Sequence, residues 1–182
     1  MAITPQEREL VIIGISVASG CKGSLQESTT VAQQLHVSAK DVDDTVSTAL
    51  RIRRAATDSM EHFVSSGFAE TGEPQSPPDG DDNQRIAALV SVGAAFAVNC
   101  VTSLKDQIAN ANEAGIPEED LNAVVSLSAY MKVMAASHVE RLMNPGGVED
   151  ESDTLAKYGT PFGPERCAWG PFCRSEKAKN FA

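Results

Sequence analysis

The sequence predicts an all-α protein built twice from one unit. Three observations carry that expectation. Apolar residues recur at helical spacing, capping residues punctuate them, and the chain aligns with itself without a gap when displaced by 79 positions (100 − 21 = 79). No segment sustains period-two alternation, so essentially no sheet is expected.

The helices follow in order. Thr4, Pro5 and Glu7 make a capping box with proline at the first helical position, and Leu10, Ile13, Gly14 and Val17 recur along one face until Gly20 breaks the run. A second helix is expected from Cys21–Ser24 to about His36. Ser38, with Asp41 three residues on, opens a third that runs through Val42, Val46, Ala49, Leu50 and Ile52 towards Phe63. The plan then repeats: Ile86 to Val98, Cys100 to Ala114, and Pro117-Glu118-Glu119 opening a last helix to about Met143.

The displacement pairs Leu10 with Leu89, Val11 with Val90, Gly14 with Gly93, Ala18 with Ala97, Cys21 with Cys100, Ser24 with Ser103 and Leu25 with Leu104. Further on it pairs Asp41 with Asp120, Ser47 with Ser126, Ala56 with Ala135 and Glu61 with Glu140, and conservatively Arg53 with Lys132. Each unit is too small to close a good core alone, so the two are expected to pack as a pseudo-two-fold bundle. The organisation read from this is a first repeat over 1–70, a linker over 71–83 rich in proline, glycine and acids, a second repeat over 84–144, and a tail over 145–182. The tail holds Tyr158, Phe162, Trp169, Phe172 and Phe181, more aromatic residues than a disordered end normally carries, so it is expected to dock on something. Its Arg166, Arg174, Lys177 and Lys179 make a basic end on an acidic chain.

Charge excludes several classes. The 15 Lys+Arg against 25 Asp+Glu leave a formal charge of −10, which repels nucleic acid and anionic lipid. No stretch reaches the roughly 20 apolar residues of a membrane span, and the N-terminus lacks the basic and apolar regions of a secretory signal. Four cysteines are too few for a disulfide scaffold. A cytoplasmic, reducing setting is expected, with neither nucleic acid nor membrane as partner.

The sharpest local feature is the junction between the first two helices of each unit: Ser19-Gly20-Cys21-Lys22-Gly23-Ser24, with Ser28 beyond, and Val98-Asn99-Cys100-Val101-Thr102-Ser103, with Gln107 beyond. Residues at i, i+3 and i+7 share a helical face. The cysteine stands in the first turn, where unpaired N–H groups and the helix dipole favour an anion such as a thiolate. Without further information each cysteine also reads as a small buried hydrophobe at a tight turn. Met131, Met134 and His138 have a spacing that a soft metal could use, but a methionine stripe is read as core. Cys167 and Cys173 lack a zinc spacing; Gly170-Pro171 between them would let a conditional disulfide form. His36 and His62 are isolated. No cofactor and no metal is expected.

The segment Leu89–Leu104, ending in Ala95-Phe96-Ala97-Val98-Asn99-Cys100-Val101-Thr102-Ser103-Leu104, resembles the carboxymuconolactone decarboxylase / alkylhydroperoxidase D (AhpD)-like family. The downstream turn Ala114-Gly115-Ile116-Pro117-Glu118-Glu119-Asp120 resembles it too, and the resemblance covers about 4–68 and 84–143. It implies an all-helical, ring-like homo-oligomer of oxidoreductase lineage. Redox-active members carry Cys-x-x-Cys-x-x-x-His, with a glutamate about a dozen residues earlier. Carried over by position, Cys21 and Cys100 match the first cysteine, Ser24 and Ser103 replace the second, and Ser28 and Gln107 stand at the histidine. Glu9 matches the glutamate in the first unit, where the second has Ala88.

A dithiol peroxidase needs a second thiol and a base, which serine does not supply. The expectation is therefore a diverged member without the dithiol cycle. In its monothiol role Cys21, with Glu9 nearby, would form a sulfenic acid or mixed disulfide resolved by a small thiol or protein reductant. Two alternatives stand beside it. One is a non-redox, decarboxylase-like enzyme in which Glu9, Ser28 and Gln107 line a pocket. The other is a non-catalytic oligomeric binding or assembly module.

Overall fold

The computed structural model describes residues 3–68 and 84–143, and all the regular structure among them is helical. The acidic linker, the aromatic and basic tail, and Cys167 and Cys173 lie outside the described residues. The helices are α1 (Pro5–Ser19), α2 (Lys22–Gln34), α3 (Ala39–Ser65), α4 (Gln84–Ala97), α5 (Val101–Glu113) and α6 (Glu118–Met143). Displacing α2 by 79 gives 101–113, the bounds of α5, and displacing the start of α3 gives 118, the start of α6. The chain divides into a unit over Met1–Ala135 and another over Ala136–Ala182, so α6 ends in the second.

Local chemistry sets the helix ends. Thr4 Oγ1 accepts from the Glu7 amide at 3.1 Å while Glu7 Oε2 accepts from the Thr4 amide at 2.7 Å, the capping box read in the sequence. Gly20, in the left-handed region at φ 77°, closes α1. Ser38 Oγ accepts from the Asp41 amide at 3.1 Å and opens α3.

Burial divides the first unit into central and outer helices. On α1, Glu9 to Ser16 are buried without interruption, and α4 is buried the same way from Leu89 to Ala95. A helix buried all round has neighbours on every side. α1 packs against α2, α3 and α4, and α4 against α1, α3 and α5. Leu10, Ile12, Ile13 and Ile15 are shielded from solvent, each contributing about 1.5–3 kcal/mol of burial free energy. Outer helices bury one stripe: Ser24, Ser28 and Ala32 on α2, Thr45, Ala49 and Ile52 on α3, Ser103, Gln107 and Ala111 on α5.

The two central helices meet at glycines. A Cβ added to Gly14 would stand 2.7 Å from Val90 Cγ1, and one added to Gly93 would stand 3.3 Å from Val11 Cγ1. Each helix therefore offers a glycine to a valine of the other. A salt-bridge clamp joins the helix starts: Arg85 on α4 donates to Glu7 Oε1 at 2.6 Å and to Asp120 Oδ2 at 2.9 Å. Burial alone would raise the Glu7 carboxyl, but the Arg85 guanidinium and the Thr4 contacts outweigh it and hold the group below its ordinary value.

Candidate functional site

Two helix junctions carry the candidate residues, each with a cysteine as the N-cap of the second helix. At the first, the Cys21 amide donates to Ser16 O at 2.9 Å, closing α1, and its carbonyl accepts from the Leu25 amide at 3.1 Å, opening α2. Only a left-handed residue at position 20 turns the chain this sharply, and glycine takes that conformation without a Cβ clash. Cys21 is half-buried, and its Sγ lies 3.2 Å from Ser24 Oγ. Ser28 continues the face one turn on, buried.

The second junction keeps the backbone and changes the contacts. Asn99 takes the left-handed position at φ 59°, a conformation asparagine tolerates better than most residues. The Cys100 carbonyl accepts from the Leu104 amide at 2.9 Å, opening α5. Here the half-buried sulfur accepts from the backbone amide of Ser103, at 3.5 Å. Ser103 Oγ and Gln107 Nε2 are buried, and neither has a hydrogen-bond partner among the described residues.

Each junction also has a cation that motif reading does not single out. Arg53 Nη1 donates to Val17 O at 3.3 Å, beside the end of α1, where positive charge is favoured. At the corresponding place Lys132 donates to Asn99 Oδ1 and lies 5.0 Å from the centroid of the Phe96 ring. Burial holds the Lys132 ammonium below its ordinary value. The signal for both was present as the conservative pair Arg53/Lys132, without any indication of what it touched.

Glu9 is held away from Cys21. It sits in the second turn of α1, and eleven residues of helix up to Gly20 rise about 16 Å along the axis. Its carboxylate is fully buried and takes two bonds from Arg8, at 2.8 and 3.1 Å, to Oε1 alone. Oε2 has no partner among the described residues, and burial raises the carboxyl above its ordinary value despite Arg8.

Met131 and Met134 are buried on α6, in keeping with a core stripe. Among the described residues no group of three His, Cys, Asp or Glu side chains could hold a metal ion, and no helix is long and apolar enough to cross a membrane. No family model matches the chain, nor does any curated protein or solved structure.

Proposed function

We propose that the chain is a diverged, tandemly duplicated AhpD-like protein whose cysteine-bearing junctions carry a monothiol redox reaction, without a dithiol cycle. The observation that carries this reading is the pairing at each junction. A half-buried cysteine stands at a helix N-terminus with a serine, not a second thiol, one turn on. Equal helix bounds at the 79-residue displacement support the duplication (101 − 22 = 79). So does the reciprocal contact of Gly14 with Val90 and Gly93 with Val11, since a two-fold relation pairs residue i with j and j with i.

In the reaction a hydroperoxide oxygen bonds to the cysteine sulfur as the O–O bond breaks. Sulfur gives up two electrons, the alcohol leaves with the thiol proton, and a sulfenic acid remains. An external thiol, small or protein-borne, then condenses with it to a mixed disulfide and water, and a second thiol releases the cysteine. This chemistry belongs to a reducing compartment such as the cytoplasm. Dilute hydroperoxide is expected to add about 16 Da at Cys21 or Cys100, and Cys→Ser replacement to abolish the adduct at that position. Absence of any adduct at either cysteine, together with slow labelling by a thiol reagent, rejects the reading.

A second reading, self-assembly, is favoured by one observation. Beyond Ile52 the outer turns of α3 expose Met60 and Val64, and the positions 79 residues on, Val139 and Met143, are exposed on α6. Apolar stripes of this kind mark interaction surfaces, here for a second copy of the chain. Replacing Met60 and Val64 by serine is expected to lower the mass measured by light scattering; an unchanged mass rejects assembly through α3.

A further inference from the structure

The two junctions share a backbone and differ in what their polar groups lack. At the first, Cys21 Sγ and Ser24 Oγ face each other at 3.2 Å, and the residue one turn on is a short serine. At the second, the sulfur turns to the Ser103 amide, leaving the Ser103 hydroxyl and the Gln107 amide nitrogen with no acceptor among the described residues, although both residues are only 2% exposed. A buried donor without an acceptor is costly, and native structures keep one where something else supplies the acceptor. Both donors lie on the face of α5 that starts at Cys100, and helical side chains lean towards the N-terminus, so Gln107 leans towards Ser103 and Ser103 towards the cysteine. The neighbourhood favours negative charge: it holds the N-terminus of α5, and Lys132 on Asn99 has no carboxylate within ion-pair distance among the described residues.

Resting on the monothiol reading above, we infer that Cys100 rather than Cys21 is the reactive cysteine, and that Ser103 Oγ and Gln107 Nε2 hold the oxygen it acquires. Hydrogen peroxide gives one oxygen to the Cys100 sulfur as its O–O bond breaks. Sulfur is oxidised by two electrons, and the departing hydroxide leaves as water with the thiol proton. The new S–O oxygen is an acceptor where two buried donors have none. At the first junction Ser24 Oγ already faces the sulfur, and neither Ser24 nor Ser28 is among the described residues with a buried side-chain atom left without a hydrogen bond.

The test uses the full chain, limiting hydrogen peroxide, a dimedone trap for sulfenic acid, and peptide mass spectrometry. Dimedone is expected on Cys100 ahead of Cys21. Gln107→Leu, which keeps the size of the side chain and removes the donor, is expected to cut trapped Cys100 by about tenfold, the yield of one buried hydrogen bond. Gln107→Glu, which places an acceptor there, is expected to cut it further, while helicity by circular dichroism stays unchanged in both. Ser103→Ala provides an independent variant. Trapping on Cys21 first, or equal trapping of Cys100 with and without Gln107 in folded protein, overturns the inference while leaving monothiol chemistry intact. A raised melting temperature in Gln107→Leu with unchanged trapping means that the donors hold only water, and also overturns it. No trapping at either cysteine overturns both readings.

Discussion

Set side by side, the halves Thr4–Phe68 and Gln84–Met143 agree in backbone and disagree in polar chemistry. Both run helix, tight turn, helix, turn, long helix, with the chain left-handed at Gly20 and Asn99 and again at His36 and Gly115. The apolar pairs that make the central contact are unchanged between halves. Several charged residues are not: Arg85 stands where the first half has Gln6, Glu7 where the second has Ile86, Glu9 where it has Ala88, and Lys132 where the first has Arg53. Packing between close-set helices tolerates little change, whereas a polar group at a helix end is free to find a new partner. Constancy in the core is therefore evidence about shape, and divergence at the ends is where function should be sought.

The largest expected effect breaks that comparison at the helix starts. Arg85 holds two carboxylates, and the Asp120 side chain is fully buried. Arg85→Ala leaves that charge without its cation and is expected to cost about 3–5 kcal/mol in urea unfolding. Gln6, its counterpart, makes one exposed bond to Leu35 O at 3.1 Å, and Gln6→Ala is expected to cost about 0.5 kcal/mol or less. Equal losses in the two variants would mean that the clamp adds nothing beyond a surface contact.

The next effect tests whether the central contact is as symmetric as its residues. At Gly14 an added methyl would meet Val90 Cγ1 at 2.7 Å, a distance that forces a shift, and Val90 is fully buried. At Gly93 the nearest atom is Ile15 Cγ1 at 3.1 Å, on a longer and more adaptable side chain. Gly14→Ala is expected to cost about 1–3 kcal/mol through overpacking, and Gly93→Ala clearly less, both by chemical denaturation. The reverse order would show that α4 fits α1 more tightly at Gly93 than the crossing suggests.

What was legible in the sequence was local. Caps such as Thr4-Pro5-Glu7 and Ser38–Asp41, and a helical period in the apolar residues, act within one or two turns, so the six helices could be bounded closely. The serines and Gln107 beside the cysteines could be named for the same reason. The clamp could not be read, because Arg85 meets Glu7 across 78 residues and Asp120 across 35. Glu9 teaches the converse: a spacing of a dozen residues is visible in the sequence, but a straight helix turns that spacing into separation, and the carboxylate pairs with Arg8.

The smallest expected effect is a change in pH dependence, and it separates the two carboxylates of α1 that have no counterpart on α4. Glu7 is held below its ordinary value of 4.5, so its contribution to stability is present above pH 4.5 and is lost as the pH falls through the folded value. Glu9 is raised above 4.5 by burial, so the folded state binds its proton first and gains stability as the pH falls through the raised value towards 4.5. The intact protein should therefore gain a little stability as the pH falls through the raised Glu9 value towards 4.5, and lose stability below 4.5 as Glu7 protonates. Glu7→Gln removes only the second phase: the difference from the intact protein, measured by urea unfolding between pH 7 and pH 3, should be greatest at neutral pH and shrink as Glu7 protonates. A difference that stays constant across that range would show that the Glu7–Arg85 contact acts through packing and not through charge.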